Sequence, residues 1–249
     1  MSLIRSIIHL LWMGITIVPY TLAIMLGTLF GMRGRPLYRI ARAWLALSVD
    51  GARVILGIRT RVTGMEHLPT GERDGVVLLV KHQSTYETFL MPAIMPRPLA
   101  YVFKKELLRV PFFGWSIGRL DMIHIDRKLR TQAFNRVVQR GKELLAQGIW
   151  VIMFPEGTRT ERGQKGQYKT GGTRLAIEAG VPVVPIAVTS AKCWPRKAFV
   201  KTPGVVDVSI GKPIDSTGRT PDDLMQEVEA WIEAEMRRLD PEAYGDTQP

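Results

Sequence analysis

Residues 7 to 31 read IIHLLWMGITIVPYTLAIMLGTLFG, with no Asp, Glu, Lys or Arg and a single histidine, His9. As one helix these 25 residues would extend ~37 Å, against a hydrocarbon core of about 30 Å. A segment this long and this apolar is expected to be embedded in a membrane. It does not read as a cleaved secretory leader, because the apolar centre is too long and no A-x-A site follows. Pro19 removes a backbone donor in mid-run, so the segment reads either as one kinked span or as two short helices dipping into one leaflet. Arg33, Arg35, Arg39 and Arg42 follow it, while only Arg5 precedes it; a spanning helix would leave its carboxyl side in the cytoplasm.

From Pro36 to Ile58, Leu37, Ile40, Ala41, Trp44, Leu45 and Leu47 recur at helical spacing with Arg39, Arg42 and Arg53 between them. Such a helix lies either on the membrane surface or against the folded domain with a solvated arginine face, and periodicity does not separate the two. Residues 1–60 are therefore read as a membrane-associated helical region and 61–249 as one catalytic domain.

In the remainder, short apolar runs alternate with helical periods. Val76–Val80, Ala100–Phe103, Met122–Ile125, Trp150–Phe154, Val183–Val188 and Val205–Ile210 read as strands. Thr131–Gln147, Thr173–Ala179 and Pro221–Leu239 read as helices, the first two stopped by Gly148 and Gly180. The tail after Pro241 is expected to fray. This alternation predicts an α/β fold: a central mixed, largely parallel sheet flanked by helices, preceded by the membrane-embedded amino-terminal helical segment. The single cysteine, Cys193, excludes a disulfide framework, and apolar runs of spanning length do not recur as they would in a transporter. Lys and Arg exceed Asp and Glu by 34 to 23, a formal charge of +11. The basic residues are dispersed, with no dense stripe or recognisable module, so an anionic lipid surface or phosphorylated substrate is expected rather than nucleic acid.

Three blocks carry candidate chemistry. Lys81-His82-Gln83-Ser84-Thr85-Tyr86-Glu87 follows an apolar strand directly, where open α/β sheets bind ligands. Five positions along a continuous helix would leave His82 and Glu87 about 140° apart. A turn carrying His82, followed by a helix with Glu87 in its first turn, would let the carboxylate hold one ring nitrogen and leave the other to accept a proton. In Phe154-Pro155-Glu156-Gly157-Thr158-Arg159, the Pro and Gly favour a strand-end turn and Gly157 permits close backbone approach. Arg159 offers a planar fork for phosphate oxygens; Glu156 would hold Arg159 or accept a hydrogen bond from a substrate hydroxyl. Between these blocks, Lys104, Lys105 and Arg109 precede Phe112, Phe113 and Trp115, a pattern suited to an amphiphile with an anionic head.

Together with Val181-Pro182-Val183-Val184-Pro185-Ile186, these ordered blocks resemble those of the glycerolipid acyltransferase family, in particular its bacterial 1-acylglycerol-3-phosphate acyltransferases. The stretch FPEGTR carries most of the specificity. Gly64-Met65-Glu66-His67-Leu68-Pro69 and Tyr168-Lys169-Thr170-Gly171-Gly172 also look familial. One departure stands out: the family's acid after the histidine is most often aspartate, and here it is Glu87, one methylene longer. The resemblance implies transfer of a fatty acyl chain from acyl-CoA or acyl carrier protein to the 2-hydroxyl of lysophosphatidic acid, giving phosphatidic acid at the inner membrane, with the catalytic domain on the cytoplasmic face. It implies His82 as general base and Glu87 as its partner. Lys104, Lys105, Glu156, Gly157, Thr158 and Arg159 would form the substrate site. Neither a metal nor a cofactor beyond the acyl donor is expected, since a thiolate leaves readily. Kept open beside this reading are an acyltransferase using glycerol 3-phosphate or another lysolipid, a lipid hydrolase using Ser84 or His82, and a noncatalytic membrane-binding module. Cys193 lies past the last block and is not expected to carry an acyl group.

Overall fold

Residues 1–125 and 130–245 are described by a computed structural model of the chain. The strands are β1 (Ile58–Thr63), β2 (Val77–Val80), β3 (Leu99–Lys104), β4 (Ile123–Ile125), β5 (Trp150–Met153), β6 (Val183–Val188) and β7 (Gly204–Ile210). They form one sheet in the order β1-β7-β6-β2-β5-β3-β4. Every pairing is parallel except β6 with β7, so β1 and β7 run against the other five strands. The expected mixed, largely parallel sheet is the one found.

The main helices are α1 (Ser2–Leu29), α2 (Arg35–Gly51), α3 (Tyr86–Ile94), α4 (Phe113–Ile117), α5 (Arg130–Leu145), α6 (Gly171–Ala179), α7 (Pro221–Leu239) and α8 (Pro241–Tyr244). Alternation along β2 sends Leu78 and Val80 into a core shared with Tyr86, Leu90 and Met91 of α3. Val77 and Leu79 enter the opposite core, with Leu175 of α6 and Leu224, Val228 and Ile232 of α7. Coverage on both faces is why the run reads as continuously apolar rather than alternating.

Two expectations need correction. The helical pattern of 36–58 ends as an α-helix at Gly51; a π-helical turn, Ala52–Leu56, follows, and Ile58 already opens β1. The burial of β1 alternates cleanly, a signal masked by the preceding helix. The tail does not fray at Pro241: α8 follows the buried Asp240, which Arg162 grips through two hydrogen bonds of 2.8 and 2.7 Å. Residues 246–249 of the tail lie outside the described residues.

Pro19 does not split the amino segment, since α1 is a single helix with the proline inside it. That helix lies along the domain. Its buried positions are Ser6, His9, Thr21, Ile24 and Gly27. Near one end, the Lys201 N–H donates to Ser6 Oγ at 2.9 Å, and His9 meets Trp194 edge-on with ring centroids 5.4 Å apart. Toward the other end, Thr21 Oγ1 donates to the Phe112 carbonyl at 3.3 Å. Leu3, Ile4, Ile7, Ile8, Leu10, Leu11, Ile15, Leu22, Leu26 and Leu29 remain exposed. The helix thus turns small and polar residues toward the protein and its aliphatic residues outward. For α2, packing against the domain is the reading that holds: Leu37, Tyr38 and Trp44 are buried, and Arg42 donates to the carbonyls of Pro92 and Ala93 in the last turn of α3.

Candidate active site

The parallel strands β2, β5 and β3 end on the same side of the sheet, and the three motif blocks leave from those ends. Beyond β2 the chain continues the ladder for one residue, with the Lys81 N–H donating to the Ile186 carbonyl at 2.9 Å. It then turns. The turn brings His82 Nδ1 within 2.8 Å of Glu87 Oε1 in the first turn of α3, as the spacing predicted. The same oxygen accepts the backbone N–H groups of Gln83 at 2.8 Å and Ser84 at 2.7 Å. The extra methylene of Glu87 thus reaches back over the turn and ties its three donors to one atom. The helix N-terminus adds its own positive partial charge. Glu87 is fully buried, whereas the His82 side chain is 12% exposed. With Nδ1 committed to the carboxylate, Nε2 is the nitrogen available for proton transfer.

The imidazole is clamped from other sides too. It stacks on Phe154, with ring centroids 3.8 Å apart and planes at 14°. The backbone N–H of His82 donates to Glu156 Oε2 at 2.8 Å. Its carbonyl accepts the Thr160 N–H at 2.8 Å and the Thr160 hydroxyl at 3.2 Å. Arg159 Nε donates to the carbonyl of Ser84 at 2.9 Å. The histidine and the arginine, 77 residues apart in the chain, therefore meet at one loop pair.

Glu156 takes up neither arrangement expected of it. Its carboxylate points inward, 3% exposed, and it pairs with Lys81 Nζ at 2.7 Å rather than with Arg159. The cause is strand alternation: Lys81 shares the parity of Val77 and Leu79 and points to the α7 side of the sheet, away from solvent. A buried ammonium draws carboxylates to itself. Glu233 of α7 lies 2.7 Å away on the other side of Lys81 and also accepts the Tyr168 hydroxyl at 2.8 Å. Burial pushes the Glu156 carboxyl above its ordinary range, against the pull of Lys81 and the His82 N–H.

The remaining candidates fall around this cluster. Gly157 adopts φ +66°, a left-handed conformation that favours glycine, and an added Cβ would stand 3.1 Å from Lys169 Nζ. Thr158 is exposed and Arg159 half-buried. Lys104 and Lys105 are exposed at the end of β3, two strands from β2, a lateral offset of about 10 Å. Ser84 is buried, and its Oγ accepts the Tyr86 N–H at 3.1 Å, a local bond that supports the turn into α3. Cys193 is buried in the α3-side core, and burial raises its thiol pKa, away from the reactive thiolate. Residue-by-residue reading of the sequence assigned no role to Lys81, Thr160, Tyr168 or Glu233. The one signal for Glu233 was an acid set among Met225, Val228, Ile232 and Met236 on the buried face of α7.

Comparison with known proteins adds the following. A model of the acyltransferase family matches residues 59–189, which contain all three motif blocks. The 1-acyl-sn-glycerol-3-phosphate acyltransferase of Pseudomonas aeruginosa is 40% identical over 225 residues, covering 89% of this chain and 85% of that one. The alpha form of 1-acyl-sn-glycerol-3-phosphate acyltransferase from Mus musculus is 32% identical, covering 72% of this chain and 63% of the relative. Among solved structures, the 1-acyl-sn-glycerophosphate (LPA) acyltransferase of Thermotoga maritima superposes with a TM-score of 0.77 at 25% identity, covering 96% of this chain and 98% of that one.

Proposed function

The chain belongs to the acyltransferase family, and from that premise we propose that it moves a fatty acyl group from a thioester to the 2-hydroxyl of 1-acylglycerol 3-phosphate, giving phosphatidic acid. The observation that carries this reading is the junction of the His82–Glu87 pair with Arg159 through Ser84. A glycerol hydroxyl is a poor nucleophile at neutral pH. His82 Nε2 takes its proton as the oxygen attacks the thioester carbonyl, and Glu87 stabilises the imidazolium that forms. The carbon–sulfur bond then breaks, and the departing thiolate recovers the proton from His82. General base catalysis of this kind typically contributes ~10²–10⁴-fold. Arg159 holds the acceptor phosphate at a fixed distance from the base, with Lys104 and Lys105 adding positive charge along the same edge. The acyl donor is acyl-CoA or acyl carrier protein, and transfer is direct, without an acyl-cysteine.

The reading extends to the membrane. A helix held to the domain near both ends, with its aliphatic side outward, suits burial in one leaflet better than a crossing. Exposed Leu107, Val110 and Trp115 near one end of α1, and Phe199 and Val200 near the other, extend the apolar surface, with Lys104, Lys105, Arg196 and Lys197 in the same segments. Each basic residue near an anionic surface contributes about 1 kcal/mol. The cytoplasmic face of the inner membrane is the proposed location.

The test is an acyl-transfer assay on lipid vesicles with a labelled donor and a panel of lysolipid acceptors. Lysophosphatidic acid should be the preferred acceptor, and His82→Ala should lose ~10²–10⁴-fold in rate. Equal use of acceptors lacking the phosphate, or a His82→Ala chain that turns over normally, would refute the proposal.

A further inference from the structure

Proton transfer at His82 depends on where Nε2 sits, and a displacement of about 1 Å can cost ~10²-fold. The ring is held at Nδ1 by Glu87 and across its face by Phe154. What holds the residue's own backbone is the loop after β5, through Thr160 and Glu156. Glu156 is stretched between two tasks. One oxygen accepts the His82 N–H at 2.8 Å; the other meets Lys81 Nζ at 2.7 Å and the Thr160 hydroxyl at 3.3 Å. An ammonium has three donors. Those of Lys81 have three acceptors nearby: Glu156, Glu233 at 2.7 Å, and the Gln164 carbonyl at 3.3 Å. Tyr168 in turn braces Glu233 at 2.8 Å. Lys81, Glu156 and Glu233 are buried, and the cluster is drawn from the residue after β2, the loop beyond β5, and α7.

We propose that Lys81, Glu233 and Tyr168 are positioning residues for His82, acting through Glu156 and not by touching substrate. The inference rests on His82 being the base of the proposed reaction. Strand alternation places consecutive residues on opposite sides of the sheet: His82 toward α3, Lys81 toward α7. Glu156 couples them, because it is anchored by the Lys81 side chain and holds the His82 main chain. If Glu233 is neutralised, Lys81 loses one of two ionic partners and settles wholly on Glu156. The carboxylate then moves, and the His82 N–H moves with it. Fold integrity is less exposed to this change, since the remaining Lys81–Glu156 pair is balanced in charge.

Glu233→Gln in the full-length chain on vesicles is the primary test. It should keep cooperative unfolding, lose at least tenfold in kcat, and change KM for lysophosphatidic acid by less than twofold. Glu233→Asp, which keeps the charge, should recover part of the loss. The distinguishing readout is the combination with His82→Ala. An effect exerted through His82 disappears once His82 is gone, so Glu233→Gln should cost nothing further in that background. A wild-type kcat in Glu233→Gln, or the same factor lost in both backgrounds, overturns the proposal. Should Glu233→Gln fail to fold, Tyr168→Phe removes a single hydroxyl from the same carboxylate. It must show a several-fold kcat loss that vanishes with His82→Ala, and wild-type turnover there overturns the idea equally. If His82→Ala itself turns over normally, it is the base assignment that fails.

Discussion

At Glu87 the side chain departs from the family's usual aspartate, and the geometry explains how it is accommodated. One oxygen collects His82 Nδ1 and the N–H groups of Gln83 and Ser84. Glu87→Gln substitutes an amide for the carboxylate, so the imidazolium loses its counter-charge. We expect kcat to fall by roughly 10²-fold or more within the range of general base effects, read in the vesicle assay. Glu87→Asp keeps the charge but shortens the reach to all three donors, and should lose less. Turnover that is unaffected by Glu87→Gln would remove the carboxylate from the mechanism. Ser84 and Cys193 give the opposite expectation. Ser84→Ala should retain acyl transfer while costing about 1 kcal/mol in stability, the worth of the one hydrogen bond its hydroxyl accepts from Tyr86. Cys193→Ser should also retain turnover. Abolished activity in either folded variant would revive a covalent mechanism. The His82–Glu87 pairing was legible from spacing because a five-residue offset meets only across a turn. The inward pull of Lys81 on Glu156 was not, because it requires knowing that α7 packs on that side of β2.

Among the elements, α1 was the plainest in the sequence, yet its placement came from packing. Length and lack of charge mark a helix long and apolar enough to enter a membrane. They say nothing about Ser6, His9 and Thr21 docking on the Lys201 segment, Trp194 and Phe112. The docked helix should tolerate no charge on its outer side. Leu11→Glu with Ile15→Glu, both at exposed positions, should lower partition into anionic vesicles at least tenfold while leaving thermal unfolding in detergent unchanged. Undiminished vesicle binding would mean that another surface carries the chain. The end of α2 shows the limit of periodicity. Helical spacing runs on to Ile58, but that residue is already paired in the sheet opposite Gly204. A strand drawn from one end of the chain and completed at the other carries only a local alternation as its signature.

For the molecule as a whole, buried tyrosines set an alkaline limit. Burial pushes the Tyr38 hydroxyl up to about 12, and burial likewise raises Tyr86, Tyr101 and Tyr168. In the unfolded chain these groups ionise near 10. Above that pH the unfolded state binds fewer protons than the folded one, so stability falls as pH rises. The loss begins near pH 10 and, for Tyr38, continues to about 12, at about 1.4 kcal/mol per unit for a fully protected group. Tyr38→Phe should make the fall in unfolding free energy shallower over that interval; an unchanged slope would show that Tyr38 ionises freely in the folded state. A second whole-molecule expectation concerns the lipid face. An environment-sensitive dye on a cysteine at Val200 or Val110 should enter an apolar medium with vesicles, as one at Ile15 does. A watery signal at both loops beside an apolar one at Ile15 would confine membrane contact to α1. The amino-acid sequence alone was enough for the α/β class, a long apolar helix at the amino end and the position of the His82 and Arg159 blocks beyond strand ends, because these rest on local periodicity, charge and short motifs. The tertiary structure decided which way α1 lies, that β7 and β1 reverse direction, and that Glu156 serves Lys81 and the His82 backbone. Those outcomes depend on which distant side chains share a buried volume, and burial is a property of the packed chain rather than of any stretch of it.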